Sequence, residues 1–290
     1  MKNLLSTDPG SPLSSEAIGS FPQGVFHSAA LLSGRAEQTP QDFFHVNVIG
    51  TLNVLEVCRT YGVRDIVYSS TMGVYGREMK YLPVDEKHPT APYDFYSLSK
   101  LQGEEVCRLY NQAFNLNAII LRYSGVYGLR KPVGAVVTFF QKALDHEMLE
   151  ISEGISWDIV HVWDVVEANI RAYENAENLR SAVFNIGSGE EISTGRLVEK
   201  IVALTRSQSV IQEKHSPSPS FRLYYDISLA KKLLDFTPRT IEQGLETYLE
   251  ELQKQCASLC TKFKSRSHIF QMKMLNRFSK ILSWCLSLER

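Results

Sequence analysis

Long apolar runs are absent from this sequence of 290 residues. No stretch approaches the ~18 residues that a membrane-spanning helix needs, and the N-terminal residues lack the apolar block of a secretory signal. The five cysteines are scattered and form no CxxC pair, so they favour a reducing compartment and offer no set of metal ligands. These absences predict a cytoplasmic protein without a metal site.

An excess of one charge is also absent from the sequence as a whole. The formal net charge is −1, from 31 Lys and Arg against 32 Asp and Glu, so no overall field attracts nucleic acid. With 44% hydrophobic residues, the composition is that of a soluble globular protein with a substantial core. We therefore expect no nucleic-acid partner.

Basic residues are concentrated in the C-terminal tail, 253–290. In this tail Leu275, Phe278, Leu282 and Cys285 recur at helical spacing, with lysine and arginine off that stripe. The pattern predicts a basic amphipathic helix. Such a helix can dock on its own body or on a partner subunit, attach to an anionic membrane, or mimic a partner peptide, and the sequence leaves these alternatives open.

Short apolar runs alternate with amphipathic segments over residues 25–150. The runs VFHSAA (25–30), DIVYSS (65–70) and NAIILRY (117–123) are typical of buried strands. Because single helices separate them, they imply parallel pairing with right-handed crossovers. The sequence therefore predicts an α/β fold with a doubly wound, Rossmann-like parallel sheet.

Helix signals accompany these runs. Thr39 can cap a helix, Pro40 suits its first position, and Asp42 lies at the positive end of its dipole, while Gly62 ends it. The predicted helices cover residues 40–61, 95–114, 134–147, 165–176, 194–205, 228–234 and 241–253.

Tyr96 and Lys100 are four residues apart on the second of these helices, so their side chains share one face. A phenol, with a pKa of about 10, is a poor acid–base catalyst at neutral pH, and a neighbouring ammonium favours the phenolate. Thr71 ends a parallel strand, where such sheets bind ligands. We predict that these three residues move a proton while a hydride moves elsewhere. The spacing alone also fits one buried tyrosine and one solvated lysine.

Five motifs follow one another along the chain: HSAA, NVIGTLNVLE, YSSTMGVYG, YSLSK and LRYSGVYG. This order resembles the extended short-chain dehydrogenase/reductase family, specifically its sugar-nucleotide epimerase/dehydratase branch. The match extends from Val25 to Glu251. The resemblance implies NAD or NADP as cofactor, a nucleotide sugar as substrate, and a homodimer formed through the helices that begin near Pro40 and Phe95.

The resemblance also implies a role for each matching residue. Tyr96 would be the catalytic acid/base, Lys100 would hold the nicotinamide ribose and tune Tyr96, and Thr71 stands at the family's Ser/Thr position. Besides Tyr96 and Lys100, the residues implied near the cofactor are Ala29, Ala30, Asn47 and Ser124. Asn47 alternatively fits a helix asparagine that is hydrogen-bonded to nearby backbone. The small residues Ala29, Ala30 and Ser124 alternatively fit simple packing.

Four regions follow from this resemblance. Residues 1–24 are an irregular lead-in, residues 25–150 a partial Rossmann-like dinucleotide-binding domain, and residues 151–252 a smaller, mainly substrate-binding α+β part. The basic tail, 253–290, lies beyond the resemblance.

One motif of the family has no counterpart in the sequence. Members begin with a strand, a GxxGxxG turn and a helix whose N-terminus binds pyrophosphate, whereas Gly10, Gly19 and Gly24 are too widely spaced. We therefore expect an N-terminally truncated sheet in which VFHSAA is an edge strand, and weak NAD binding by this polypeptide alone.

Two positions depart from the family on the substrate side. Trp157 stands where relatives commonly have arginine, and Gly125 stands where they often have asparagine. Since arginines bind diphosphates well, these departures argue against an ordinary nucleotide sugar. Arg122, Arg130 and Lys131 could partly compensate, although Arg122 also fits an ion pair at the edge of the core.

The residues after Thr71 narrow the type of reaction that the family resemblance implies. Dehydratases of the family tend to carry Asp-Glu there, but this chain has Met72 and Gly73, which disfavours dehydration. Epimerisation through a transient keto sugar and simple keto reduction both remain. The alternative of another class is a catalytically inactive remnant or binding module that keeps the substrate half of the fold.

Overall fold

The computed structural model describes residues 22–33, 38–214 and 220–264. Its strands are β1 (Gly24–His27), β2 (Asp65–Thr71), β3 (Asn117–Tyr123), β4 (Gly125–Tyr127), β5 (Leu149–Ser152), β6 (Ile155–Trp157), β7 (Ile159–His161), β8 (Val183–Ile186), β9 (Ile192–Ser193), β10 (Ile211–Lys214) and β11 (Phe221–Leu223). Its α-helices are α1 (Pro40–Phe43), α2 (Gly50–Tyr61), α3 (Phe95–Phe114), α4 (Ala135–Leu144), α5 (Val162–Glu174), α6 (Thr194–Thr205), α7 (Ser228–Leu234) and α8 (Ile241–Lys264).

The main sheet has the order β1-β2-β3-β8, and every neighbouring pair is parallel. Successive side chains of β2 face opposite layers of helices. Ile66 packs with α2 and α3, whereas Val67 packs with α5 and α7. Burial on both faces explains why the strands read as continuous apolar runs. The prediction of an α/β, Rossmann-like parallel sheet is confirmed.

Strand β1 is shorter than the apolar run predicted for it. It pairs with β2 only over Gly24–His27, so the prediction of a strand extending to Ala30 is wrong. Beyond His27 the chain leaves the sheet, and Ser28 is joined to β2 through a hydrogen bond between its Oγ and Ser69 Oγ, 2.8 Å long. In the described part of the chain β1 lies at the edge of the sheet.

The first predicted helix, 40–61, contains an unexpected π-helical segment. Thr39 and Asp42 form a capping box, and Gly62 ends the helix with φ of 72°, as predicted. Between α1 and α2, however, residues Phe44–Ile49 are π-helical. Such insertions change which side chains face inward, and here Asn47 is buried.

The remaining strands are short. They form three separate small sheets, β4 with β7, β5 with β10, and β6 between β9 and β11. Helices α4, α6 and α8 pack on them around a common apolar core that includes Phe140, Leu197 and Tyr248.

Several predicted helix boundaries need correction. Helix α4 ends at Leu144 rather than residue 147, and α5 covers Val162–Glu174 rather than residues 165–176, with the His161 side chain capping its start. Helix α8 continues to Lys264 instead of ending at residue 253. Its apolar positions continue past that point, and Cys256 is buried.

The predicted helix in the basic tail and the irregular lead-in, up to residue 21, lie outside the described residues. Among the residues that are described, no helix combines the length and apolar character of a membrane span.

Candidate active site

A cleft of about 740 Å³ opens at the carboxyl ends of β1, β2 and β3. One wall is lined by residues of β2 and α3, and a second wall by residues of β1 and α5. Five of the residues predicted from the sequence line it, namely Ala30, Thr71, Tyr96, Lys100 and Ser124. Parallel α/β sheets bind ligands at this edge, so these residues meet where a substrate is expected.

Thr71 and Tyr96 approach each other from a strand end and a helix start. Thr71 ends β2 and caps a 3₁₀ turn, its Oγ1 accepting a hydrogen bond from Gly73 N at 3.2 Å. Tyr96 lies in the first turn of α3, which Asp94 caps. Burial raises the pKa of the Tyr96 phenol to about 12, although its hydrogen bond with the Thr71 side chain lowers it.

Lys100 lies one helical turn after Tyr96 and is only 2% exposed. Its ammonium lies 4.1 Å from the centre of the Tyr68 ring. Burial lowers the pKa of Lys100 to about 8, although Cys107 and Glu104 act in the opposite direction. Burial has the largest effect on the pKa of Tyr96, so the net shift is upward. That Lys100 makes the phenol more acidic stays a prediction.

Ser124 offers the cleft an unused hydroxyl. The residue is 6% exposed, and its backbone N–H donates to Ile186 O at 2.9 Å. Its Oγ has no hydrogen-bond partner among the described residues. Since buried hydroxyl groups are nearly always paired, a polar group of a ligand in the cleft fits this position.

Two predicted cofactor residues do not line the cleft. Ala29 is exposed, and Asn47 is buried behind the loop that follows β1. Asn47 accepts a hydrogen bond from Leu31 N (2.7 Å) and donates to Leu31 O (3.1 Å) and to Ser99 Oγ (2.9 Å). Asn47 therefore ties the loop to α3, which agrees with the alternative of an asparagine bonded to nearby backbone.

Arg122 is not available to a ligand. Its guanidinium forms a buried ion pair with Glu104, 2.6 Å long, and donates to the Tyr75 hydroxyl at 2.9 Å. Ser70, beside Thr71, donates a hydrogen bond to the same carboxylate. The suggestion that Arg122 compensates for absent phosphate-binding arginines is wrong, and the alternative of an ion pair is confirmed.

A side cavity of about 60 Å³ adjoins the cleft, with Gly125, Val126 and Lys131 lining both. Lys131 Nζ donates to Val126 O at 2.7 Å. A Cβ atom on Gly125 would lie 3.0 Å from Trp157 Nε1, so the indole occupies the space of a side chain at position 125. Trp157 Nε1 has no hydrogen-bond partner in the described part of the chain. Arg130 is exposed and lines neither cavity.

A row of polar side chains along the floor of the cleft escaped the sequence-based prediction. Ser28 Oγ contacts Ser69 Oγ at 2.8 Å, Ser69 Oγ contacts the Tyr123 hydroxyl at 3.1 Å, and Asn169 Nδ2 donates to that hydroxyl at 2.8 Å. In the sequence, only the position of Ser69 and Tyr123 near the ends of β2 and β3 could have indicated that they line the cleft. The contact of Tyr123 with Asn169 depends on tertiary packing of α5.

A family model described as the NAD dependent epimerase/dehydratase family matches residues 11–187. The chain belongs to this family. A putative UDP-glucose 4-epimerase of Methanocaldococcus jannaschii is 36% identical over 217 residues, which cover 72% of this chain and 70% of the relative. The UDP-glucose 4-epimerase of Homo sapiens is 31% identical over 263 residues, or 80% of this chain and 73% of the human protein.

Solved structures of the epimerase/dehydratase family share the fold. UDP-glucose 4-epimerase from Thermotoga maritima with UDP-glucose superposes with a TM-score of 0.71 at 30% identity, covering 81% of this chain and 78% of that one. UDP-glucuronic acid 4-epimerase from Bacillus cereus with NAD gives a TM-score of 0.71 at 26% identity, covering 82% and 77%. The predicted family membership is confirmed.

Proposed function

We propose that the chain interconverts two epimers of a nucleotide-linked sugar with NAD as cofactor. The observation that carries this proposal is the meeting of Thr71, Tyr96 and Lys100 with the unpartnered Ser124 hydroxyl in one cleft. When bound, NAD supplies a group that accepts a hydride from a sugar carbon and returns it. The relatives named as UDP-sugar 4-epimerases favour epimerisation over simple keto reduction.

In this proposal Tyr96 exchanges a proton with the sugar hydroxyl whose carbon is inverted. Thr71 donates a hydrogen bond to the same oxygen and keeps it in reach of the phenol. Because the pKa of Tyr96 is raised to about 12, the phenol is protonated at neutral pH, and release of its proton needs a nearby cation. The Lys100 ammonium, one turn along the same helix, is that cation.

The residues present fit the nicotinamide end of NAD. Lys100 offers an ammonium to ribose hydroxyls, Ser124 offers its free Oγ, and the backbone at Ala30 lies on the cleft surface. The pyrophosphate end has no GxxGxxG turn in the sequence. We therefore expect dissociation constants for NADH well above micromolar. Energy transfer from Trp157 and Trp163 to NADH measures this, and micromolar binding would refute the expectation.

The substrate's diphosphate fits the junction of the cleft and the side cavity. Lys131 provides a positive charge there, and Trp157 Nε1 provides an unused donor in place of an arginine or asparagine side chain. This corner supports a nucleotide sugar as substrate even though Arg122 is committed to its ion pair.

A second candidate is a module that binds nucleotide sugars without turnover. To distinguish an epimerase from a binding module, the protein is incubated with UDP-glucose or UDP-glucuronate at millimolar NAD, and the epimer is measured by chromatography. Calorimetric titration with UDP in parallel reports binding alone. An epimer formed by the wild-type protein supports the enzyme, whereas UDP binding without product identifies the module.

We also infer a homodimer formed through α2 and α3. Val57 on α2 and Leu109 and Phe114 on α3 are about half exposed, which is unusual for large apolar side chains on neighbouring helices. A Leu109→Glu variant should become monomeric by light scattering, while Leu233→Glu, exposed on α7, should leave the mass unchanged. We also infer a cytoplasmic location, which the free thiols of Cys58 and Cys107 support.

A further inference from the structure

Tyr68 contacts both ends of Lys100. It lies in β2, three residues before Thr71, and is fully buried. Its ring centre is 4.1 Å from the Lys100 ammonium, and its hydroxyl donates to the Lys100 backbone O at 3.2 Å. One aromatic side chain therefore fixes the backbone from which the lysine extends and supports the charge in which the lysine ends.

The ring fits tightly under α3. A methyl group at Gly103 would collide with the Tyr68 hydroxyl, so glycine at this helical position makes room for the phenol. On the other side the His27 ring lies 5.6 Å from the Tyr68 ring, centre to centre. The side chain is thus held between β1 and α3, with little freedom to move away from Lys100.

The surroundings of the Lys100 ammonium show which groups act on its charge. Among the described residues Lys100 Nζ has no hydrogen-bond partner, and it lies on the face of the ring. The titratable groups around it are His27 on β1, Tyr68 on β2, and Tyr96, Glu104 and Cys107 on α3. Burial and Lys100 together lower the pKa of His27 to about 4, so this imidazole is neutral and adds no charge.

We propose that Tyr68 is the positioning residue of Lys100, holding its ammonium against the ring so that the charge faces Tyr96 and the cleft. The inference rests on the proposed function only for the role of Lys100 in turnover. The attraction between a cation and an aromatic face is strongest where both are shielded from water, as they are here. Because that attraction exists only for the charged amine, it opposes the effect of burial on the lysine.

Two substitutions distinguish the contribution of the Tyr68 ring from that of its hydroxyl. Tyr68→Leu removes the ring face, and Tyr68→Phe keeps it. The protein is labelled with ¹³C at lysine Cε, the Lys100 signal is assigned by its loss in Lys100→Met, and the pKa is read from an NMR titration. Loss of the ring should lower the pKa of Lys100 by about one unit, a tenfold change in protonation, and Tyr68→Phe should change it little.

Turnover provides the second measurement. In Tyr68→Leu the alkaline limb of kcat against pH should move to lower pH by about one unit, and kcat at pH 8 should fall about fivefold. Tyr248→Leu, another buried tyrosine lost from the distant core, is the matched control and should leave both the limb and the Lys100 pKa in place.

The outcomes are decisive in either direction. An unchanged Lys100 pKa in Tyr68→Leu overturns the proposal, and so does an equal shift in the Tyr248→Leu control. If Tyr68→Leu does not fold, Gly103→Ala, which displaces the phenol, should produce the same downward shift. If the wild-type protein lacks turnover but the NMR shift is present, the proposed function fails and the positioning role of Tyr68 stands.

Discussion

The two walls of the cleft differ in how completely their side chains are engaged. On the wall formed by β2 and α3, buried polar groups contact one another, as in the Glu104–Arg122 pair below Ser70 and Thr71. On the wall formed by β1 and α5, Phe26 is 49% exposed, and Val166 and Ile170 are about 40% exposed. The first wall fits the proposed proton transfer, and the second presents exposed apolar surface that fits flat rings.

Removal of the Tyr96 hydroxyl is the most severe test of the organised wall. Tyr96→Phe should lower kcat by about 10⁴-fold, or about 5 kcal/mol, because the phenol is the group proposed to exchange the proton. KM for the nucleotide sugar should change little, since the ring remains. Steady-state kinetics measures both, and a loss confined to KM would contradict the assignment.

The buried ion pair below the same wall should dominate stability. Arg122→Met leaves the Glu104 carboxylate buried without its partner, which should cost about 3–5 kcal/mol of unfolding free energy in a denaturant titration. Arg108→Met breaks an exposed pair with Glu105 on α3 and should cost under about 1 kcal/mol. Equal losses of unfolding free energy in the two variants would contradict a dominant contribution of the Arg122–Glu104 pair to stability.

His27, on β1, should make the stability of the folded protein depend on pH. Burial and Lys100 lower its folded-state pKa to about 4, so the unfolded chain binds more protons than the folded chain between about pH 6.5 and pH 4. This contribution to stability is present above that window and is lost as the pH falls through it, to a total of about 3 kcal/mol.

Unfolding titrations from pH 7 to pH 4 measure this dependence. His27→Gln should flatten it, while His146→Gln, at an exposed position, should leave it in place. A dependence that persists unchanged in His27→Gln would assign the acid sensitivity to other groups.

The smallest expected effect concerns the substrate corner. Lys131→Met should raise KM for a UDP-sugar about tenfold, or about 1.4 kcal/mol, with kcat nearly unchanged, because the charge binds substrate and transition state alike. Arg130→Met, which removes the adjacent charge outside both cavities, is the matched control. Equal effects of the two variants would indicate general electrostatic attraction instead of a contact.

Local features of the fold were predictable from the sequence. The bounds of α3 and β3 agree with the structure because apolar spacing and helix-ending residues are local signals. Among the described residues β1 lies at the edge of the sheet, as expected from the absence of the family's first strand–turn–helix unit in the sequence. The π-helical segment and the early start of α5 were missed, since they depend on how Asn47 and His161 meet neighbouring elements.

The site was predictable in composition but not in electrostatics. The sequence indicated that Tyr96 and Lys100 share a face, yet the direction of the Tyr96 pKa shift depends on burial, which only the packed structure defines. Similarly, no local pattern joins Arg122 to Glu104, 18 residues apart, or places the Tyr68 ring under Lys100. These contacts cross from strand to helix and follow from sheet register.

The most direct test of the account is the fate of deuterium at the inverted carbon. UDP-glucose deuterated at C4 is incubated with the wild-type protein at millimolar NAD, and the product is examined by NMR. The account predicts that an epimer forms with its deuterium retained, since a hydride leaves the sugar and returns to it while Tyr96 handles the hydroxyl proton. Exchange of that deuterium with solvent would contradict the account.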